Sequence, residues 1–120
     1  AARDGWDRRI IAVFQPHLFT RTRDFYQDFA DSFSKADILI VTKIFPSREE
    51  PIEGISGELV VHAAQENNHP QPLYINEWEQ LKKSLDKFIR PGDMVITIGA
   101  GNIWRFCQEY FEHLSAKSNL

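Results

Sequence analysis

One histidine, two arginines and two threonines crowd into a short stretch, His17-Leu18-Phe19-Thr20-Arg21-Thr22-Arg23-Asp24, close behind the apolar run Ile10-Ile11-Ala12-Val13-Phe14. Guanidinium groups fork carboxylates and phosphates, so the chemistry these residues suggest is capture of an anion. Pro16 has no N–H to give to a sheet, so the apolar run must end as a strand there. The cationic residues then fall at the strand's carboxyl end, at the mouth of the next helix. In open α/β sheets ligands bind at that edge, and the free N–H groups of a helix start add to the attraction. His17, Arg21 and Arg23 are therefore the candidate binding residues. Arg23 ranks lowest, because Asp24 and Asp28 lie close enough in sequence to pair with it.

A second candidate is the turn Gly99-Ala100-Gly101-Asn102, which follows the apolar run Met94–Ile98. Glycines let the backbone turn tightly and approach a ligand, and a helix N-terminus behind them suits an anion. The pattern is not a dinucleotide fingerprint, since the third glycine position falls on Trp104. It is not a P-loop either, because no Gly-Lys-Ser/Thr follows. On these residues alone, a tight strand-to-helix turn is the stronger reading. Glu49 and Glu50 are adjacent and should point apart, as in a solvated loop, which argues against a magnesium site. His62, His69 and His113 stand at no ligand spacing. Cys107 falls on the apolar stripe of a helix and is expected to be an inert core thiol. No catalytic residue and no metal ligand is assigned within the chain.

The elements that must position these groups alternate between strand and helix, the pattern of a parallel sheet with helices on its faces. Strands are expected at Ile10–Phe14, Ile38–Val41, Leu73–Ile75 and Met94–Ile98. The last of these is apolar throughout and is expected to be central. Phe25, Phe29 and Phe33, with Tyr26 and Ala30, form one helical stripe, for which Thr22 is the expected N-cap with Asp24 in the first turn. Residues Phe45 to Gly57 form a long loop, and Ser56 to Gln65 a short helix. Asn76 with Glu79 suggests a capping box for a helix carrying Trp78, Leu81, Leu85 and Phe88 inward, stopped at Pro91-Gly92. Asn102 is expected to cap a last helix with Ile103, Cys107, Tyr110 and Leu114 buried. A polar tail, Ser115 to Leu120, is expected to fray. Ala1-Ala2-Arg3-Asp4-Gly5 resembles a helix end with Gly5 as C-cap rather than a natural amino terminus.

With 120 residues the chain is one domain, large enough for a real core. A net charge of −3 argues against a dedicated nucleic-acid binder. A single cysteine excludes an internal disulfide and suits a reducing cytoplasm. No apolar run approaches membrane-spanning length.

The pattern Gln-Pro-His-x-(aromatic)-(Ser/Thr)-Arg-Thr-Arg-Asp behind a strand resembles the signature of the carboxyl-terminal domain of Mur ligases, within the branch that adds L-alanine. Two further segments match in order: Phe45-Pro46-Ser47-Arg48-Glu49-Glu50-Pro51-Ile52 with Gly54, and Gly99-Ala100-Gly101-Asn102-Ile103. The resemblance runs from about Arg9 to the last helix. Leu18 stands where many members carry arginine, Phe19 where tyrosine is frequent, and Trp104 where many have glycine. The resemblance implies a three-layer, Rossmann-like α/β domain with a mostly parallel sheet.

The implied activity is that of a bacterial cytoplasmic enzyme of peptidoglycan biosynthesis. Such an enzyme joins L-alanine to UDP-N-acetylmuramate through an acyl-phosphate, with ATP and Mg²⁺ and release of ADP. His17 and Arg21 are then implied in holding L-alanine and the muramoyl carboxyl group. The family's phosphate loop and metal-holding residues lie on a central ATPase domain, and the UDP-sugar on an amino-terminal domain. Its Asp-Asp-Tyr-Gly-His-His-Pro segment would lie just before Ala1. The expectation is an excised third domain that does not turn over alone and binds no cofactor tightly. Two alternatives stay open: a stand-alone nucleotide- or anion-binding module without catalysis, and a related ligase that recycles a preformed tripeptide.

Overall fold

The computed structural model describes residues 8–99 and 101–118. Ala1 to Gly5 and Ala100 lie outside the described residues, and with them the expectation of a C-cap at Gly5. Four strands alternate with four helices: β1 (Ile10–Phe14), α1 (Phe19–Ser32), β2 (Ile38–Val41), α2 (Glu58–Glu66), β3 (Pro72–Tyr74), α3 (Trp78–Phe88), β4 (Met94–Ile98) and α4 (Ile103–Ser118). The strands form one sheet in the order β3-β2-β1-β4, and every pairing is parallel. Ile11 stands opposite Ile38 on one side of β1 and opposite Val95 on the other.

The order of connections explains the layers. Two successive crossovers step the same way, from β1 to β2 and from β2 to β3. The third steps back past both to place β4 on the other side of β1. Because parallel crossovers share one hand, a reversal of direction moves the connecting helix to the opposite face. Accordingly Ala12, Phe14, Leu39 and Val41 pack with Val60, Ala64 and Ala30 of α2 and α1. The alternate residues Ile11, Val13, Ile38 and Ile40 pack with Leu81, Leu85, Ile103 and Phe106 of α3 and α4. With both faces covered, β1 and β2 are buried at every position, which is why they are continuous apolar runs. Phe14 lies 5.0 Å from the rings of both Phe29 and Phe33, tying β1 to α1.

Several local expectations are corrected. β4 is an edge strand, half-buried at four positions and exposed at Ile98, not the central strand its apolar run suggests. It pairs only with β1, and within the described residues its outer edge is uncovered. Cys107 is exposed, because α4 turns Ile103, Phe106 and Tyr110 inward instead. Helix α1 begins at Phe19, so Thr22 is not its N-cap; it is fully buried, and its hydroxyl donates to the Leu18 carbonyl at 2.8 Å. Asp24 therefore lies beyond the first turn. Phe25 is exposed, and Thr22, Tyr26, Phe29, Ala30 and Phe33 make the inward stripe. The N-cap of α3 is Glu77, without a side-chain bond, so the Asn76–Glu79 capping box does not form. Helix α4 continues through Ser115 to Ser118.

At the amino ends of β1 and β4, Arg9 grips Asp93 through Nε at 3.1 Å and Nη2 at 2.6 Å, and Nη2 also donates to the Phe88 carbonyl. Asp93 further accepts the Arg90 N–H at 2.9 Å. This polar clamp holds the edge strand at the end of the sheet remote from the candidate site.

Candidate functional site

The carboxyl ends of β1 and β4 mark the point where the strand order reverses, the place at which sheets of this kind open a crevice. The β1 chain leaves the sheet there through Gln15 and Pro16, both buried. Gln15 is 5% exposed, and its side chain spans the crevice. Its Nε2 donates to Asn102 Oδ1 at 2.8 Å, and its Oε1 accepts the first N–H of α4, that of Ile103, at 3.0 Å. Gln15 thus takes up the first N–H of α4 from another strand's end, with Asn102 in the position just before the helix. The turn itself is packed closely by the chain's own residues. A Cβ on Gly101 would stand 2.4 Å from Phe45 Cγ and 2.8 Å from Gln15 Oε1, and one on Gly99 would meet the Gln15 carbonyl at 3.0 Å.

Beyond Pro16 the loop is braced by the Phe45 segment. Phe45 N–H donates to the Pro16 carbonyl at 2.9 Å, and Leu18 N–H to the Phe45 carbonyl at 3.0 Å. The rings of His17 and Phe45 stack, with centroids 6.0 Å apart and planes within 19°. Leu18 takes φ 71° and ψ 139°, a region that an L side chain rarely visits and that costs of order 1–3 kcal/mol. Helix α1 then starts with no capping side chain of its own.

Glu49 supplies that cap from the long loop. Its Oε1 accepts the Phe19 N–H at 2.5 Å and the Thr20 N–H at 3.2 Å, while its Oε2 accepts the Thr20 hydroxyl at 2.5 Å. The Thr20 hydroxyl above all, with the Thr20 and Phe19 amides, holds the Glu49 carboxyl below its usual range. Glu49 is therefore not the freely solvated side chain expected of this loop, whereas its neighbour Glu50 is exposed. Sequence reasoning missed both Gln15 and Glu49 as parts of the site. The sequence carried no direct signal for Glu49, because Thr22 offered a nearer cap and Glu49 lies 30 residues from Phe19.

Two depressions flank this bracing. One, of about 360 Å³, is lined by Phe14, Gln15, His17, Arg21, Phe29, Ile98 and Gly99. It brings His17, Arg21 and Gly99 together, with an apolar wall behind them. Arg21 is exposed and has no ion pair among the described residues. Arg23 does not line it. Its guanidinium pairs with Asp24 at 2.9 Å on the surface, an exposed pair of little energetic weight. The second depression, of about 460 Å³, lies across Gln15 and is bordered by Lys43, Phe45, Asn76, Glu77, Trp78 and Asn102. Among the described residues no three His, Cys, Asp or Glu side chains converge as a metal set would. No described helix is long and apolar enough to cross a membrane.

Comparison with known proteins adds three findings. Residues 1–101 match the family described as "Mur ligase, glutamate ligase domain". UDP-N-acetylmuramate–L-alanine ligases are similar over nearly the whole chain: that of Geotalea uraniireducens is 41% identical over 95% of it, and that of Salinibacter ruber 42% identical over 95%. The chain spans only 25% and 24% of the lengths of those relatives. The crystal structure of a UDP-N-acetylmuramate–alanine ligase from Thermotoga maritima superposes with a TM-score of 0.70 over 92% of this chain and 21% of that one, at 18% identity. That likeness shows a shared fold.

Proposed function

The chain belongs to the Mur ligase family through its glutamate ligase domain, and from that premise we propose that it is the amino-acid-presenting domain of a UDP-N-acetylmuramate–L-alanine ligase. The observation that carries the reading is the pocket where His17 and Arg21 meet an apolar wall at the crevice between β1 and β4. Arg21 forks the carboxylate of L-alanine, His17 gives a further polar contact, and Phe14, Phe29 and Ile98 accept the methyl group. Held in this way, the amine points out of the domain toward the rest of the enzyme. The amine nitrogen attacks the activated muramoyl carbonyl carbon, the bond from that carbon to the phosphoryl oxygen breaks, and inorganic phosphate leaves. An amine proton passes to solvent.

The activating phosphoryl group comes from ATP on the parts of the parent enzyme outside this chain. The residues here do not fit a magnesium ion: Glu49 is engaged at the start of α1, and no three candidate ligands converge among the described residues. The Gly99–Gly101 turn has no P-loop lysine. This chain's contribution is positioning, together with exclusion of water when the domain closes.

The test is ADP release with ATP, UDP-N-acetylmuramate and a panel of amino acids and peptides. The parent enzyme should depend on L-alanine, and the 120-residue chain alone should release no ADP. Turnover by the chain alone, or a parent that prefers a tripeptide, would overturn the reading.

A further inference from the structure

Leu18 lies between His17 and Arg21, two of the residues that line the amino-acid pocket, and its backbone is strained. The peptide unit after Leu18 is held at both ends: its carbonyl accepts from Thr22 N–H and the Thr22 hydroxyl, and its N–H, that of Phe19, donates to Glu49. The unit before Leu18 donates its N–H to the Phe45 carbonyl. Of these restraints, Glu49 is the only one supplied by a charged side chain, and it reaches in from 30 residues downstream. Helix α1 is also anchored in the core through Phe29 and Ala30.

We propose that Glu49 is a positioning residue for the amino-acid pocket: by capping Phe19 and Thr20 it holds Leu18 in its strained conformation and so sets Arg21 against His17. Without the cap, the Leu18–Phe19 peptide relaxes toward negative φ and the first turn of α1 swings. Arg21, the third residue of that turn, moves with it. This inference rests on the reading of the His17–Arg21 pocket as the L-alanine site.

The experiment uses the full-length parent enzyme carrying Glu49→Ala, Glu49→Gln or Arg21→Ala. Steady-state kinetics are measured for each substrate, and hydrogen exchange is followed in the peptide covering 17–23. Glu49→Ala should speed exchange in that peptide and raise the KM for L-alanine about tenfold, since an ångström of misplacement is costly. The KM values for ATP and UDP-N-acetylmuramate should stay unchanged. Glu49→Gln keeps an amide oxygen that can accept from the same N–H groups, and should fall between wild type and Glu49→Ala. Unchanged exchange in Glu49→Ala overturns the clamp. Faster exchange with an unchanged L-alanine KM, while Arg21→Ala raises it, overturns the positioning role alone. An L-alanine KM untouched by Arg21→Ala refutes the pocket reading, and the role of Glu49 falls with it.

Discussion

Gln15 is the residue whose removal should be felt most sharply near the site, and the loss can be worked from its bonds. Gln15→Met keeps the length of the side chain and its apolar stem but deletes both polar atoms. Two hydrogen bonds disappear, to Asn102 Oδ1 and from Ile103 N–H. Each is worth about 1 kcal/mol net. The Ile103 N–H lies on a residue that is 2% exposed, so water cannot replace the lost acceptor. An unpaired buried donor adds about 1–3 kcal/mol, and the total is about 3–5 kcal/mol. With a urea m-value of about 2 kcal/mol/M for a small domain, the unfolding midpoint should drop by about 1.5–2.5 M. Trp78, packed against Phe106 at 5.7 Å, provides the fluorescence probe. Asn102→Ala should cost less, and the double variant should be clearly less destabilised than the sum of the two, because the residues share a bond. A midpoint shift under about 0.5 M, about 1 kcal/mol at that m-value, would refute the view that Gln15 ties the β1 loop to α4.

Gly101→Ala should destabilise by about 1–3 kcal/mol, as overpacking does, because the new methyl would stand 2.4 Å from Phe45 Cγ. Phe45→Leu in the same chain should recover part of that loss in urea melts, and no recovery would point to a different clash. Arg9, through its side-chain bonds, holds the Asp93 carboxyl below its ordinary value of 3.8. The unfolded chain therefore takes up this proton first on acidification. The contribution of the pair is complete above that ordinary value and is lost as the pH falls through the lower folded value. Melting temperature should fall more steeply below about pH 4 in the wild type than in Asp93→Asn, and parallel curves would exclude the linkage.

The parts of the fold that could be read from the sequence are those determined by local pattern. Ile10–Phe14 and Ile38–Val41 are apolar on both faces because both faces are covered, and Pro16 marks the end of the first strand. That alone placed His17 and Arg21 at the carboxyl edge of the sheet. Met94–Ile98 misled because an apolar strand signals two apolar faces, not two paired edges; within the described residues it pairs on one side only, with β1. The start of α1 was misjudged for a related reason. Cap rules search within a few residues, and here the cap is Glu49, on another loop. Gln15 was invisible as a cap for the same reason, since Ile103 lies 88 residues away. The pairing of Arg23 with Asp24, by contrast, needed only adjacency.

The most direct test of the central claim is the L-alanine dependence of the full-length parent enzyme carrying Arg21→Ala, with Arg21→Lys beside it. Loss of a forked, charge-assisted contact should raise the KM for L-alanine at least about tenfold. Lysine should recover part of this, because it keeps the charge but not the fork. The melting temperature should hold, since Arg21 is exposed and unpaired among the described residues. An L-alanine KM unchanged in both variants would contradict the assignment of this pocket to the amino acid.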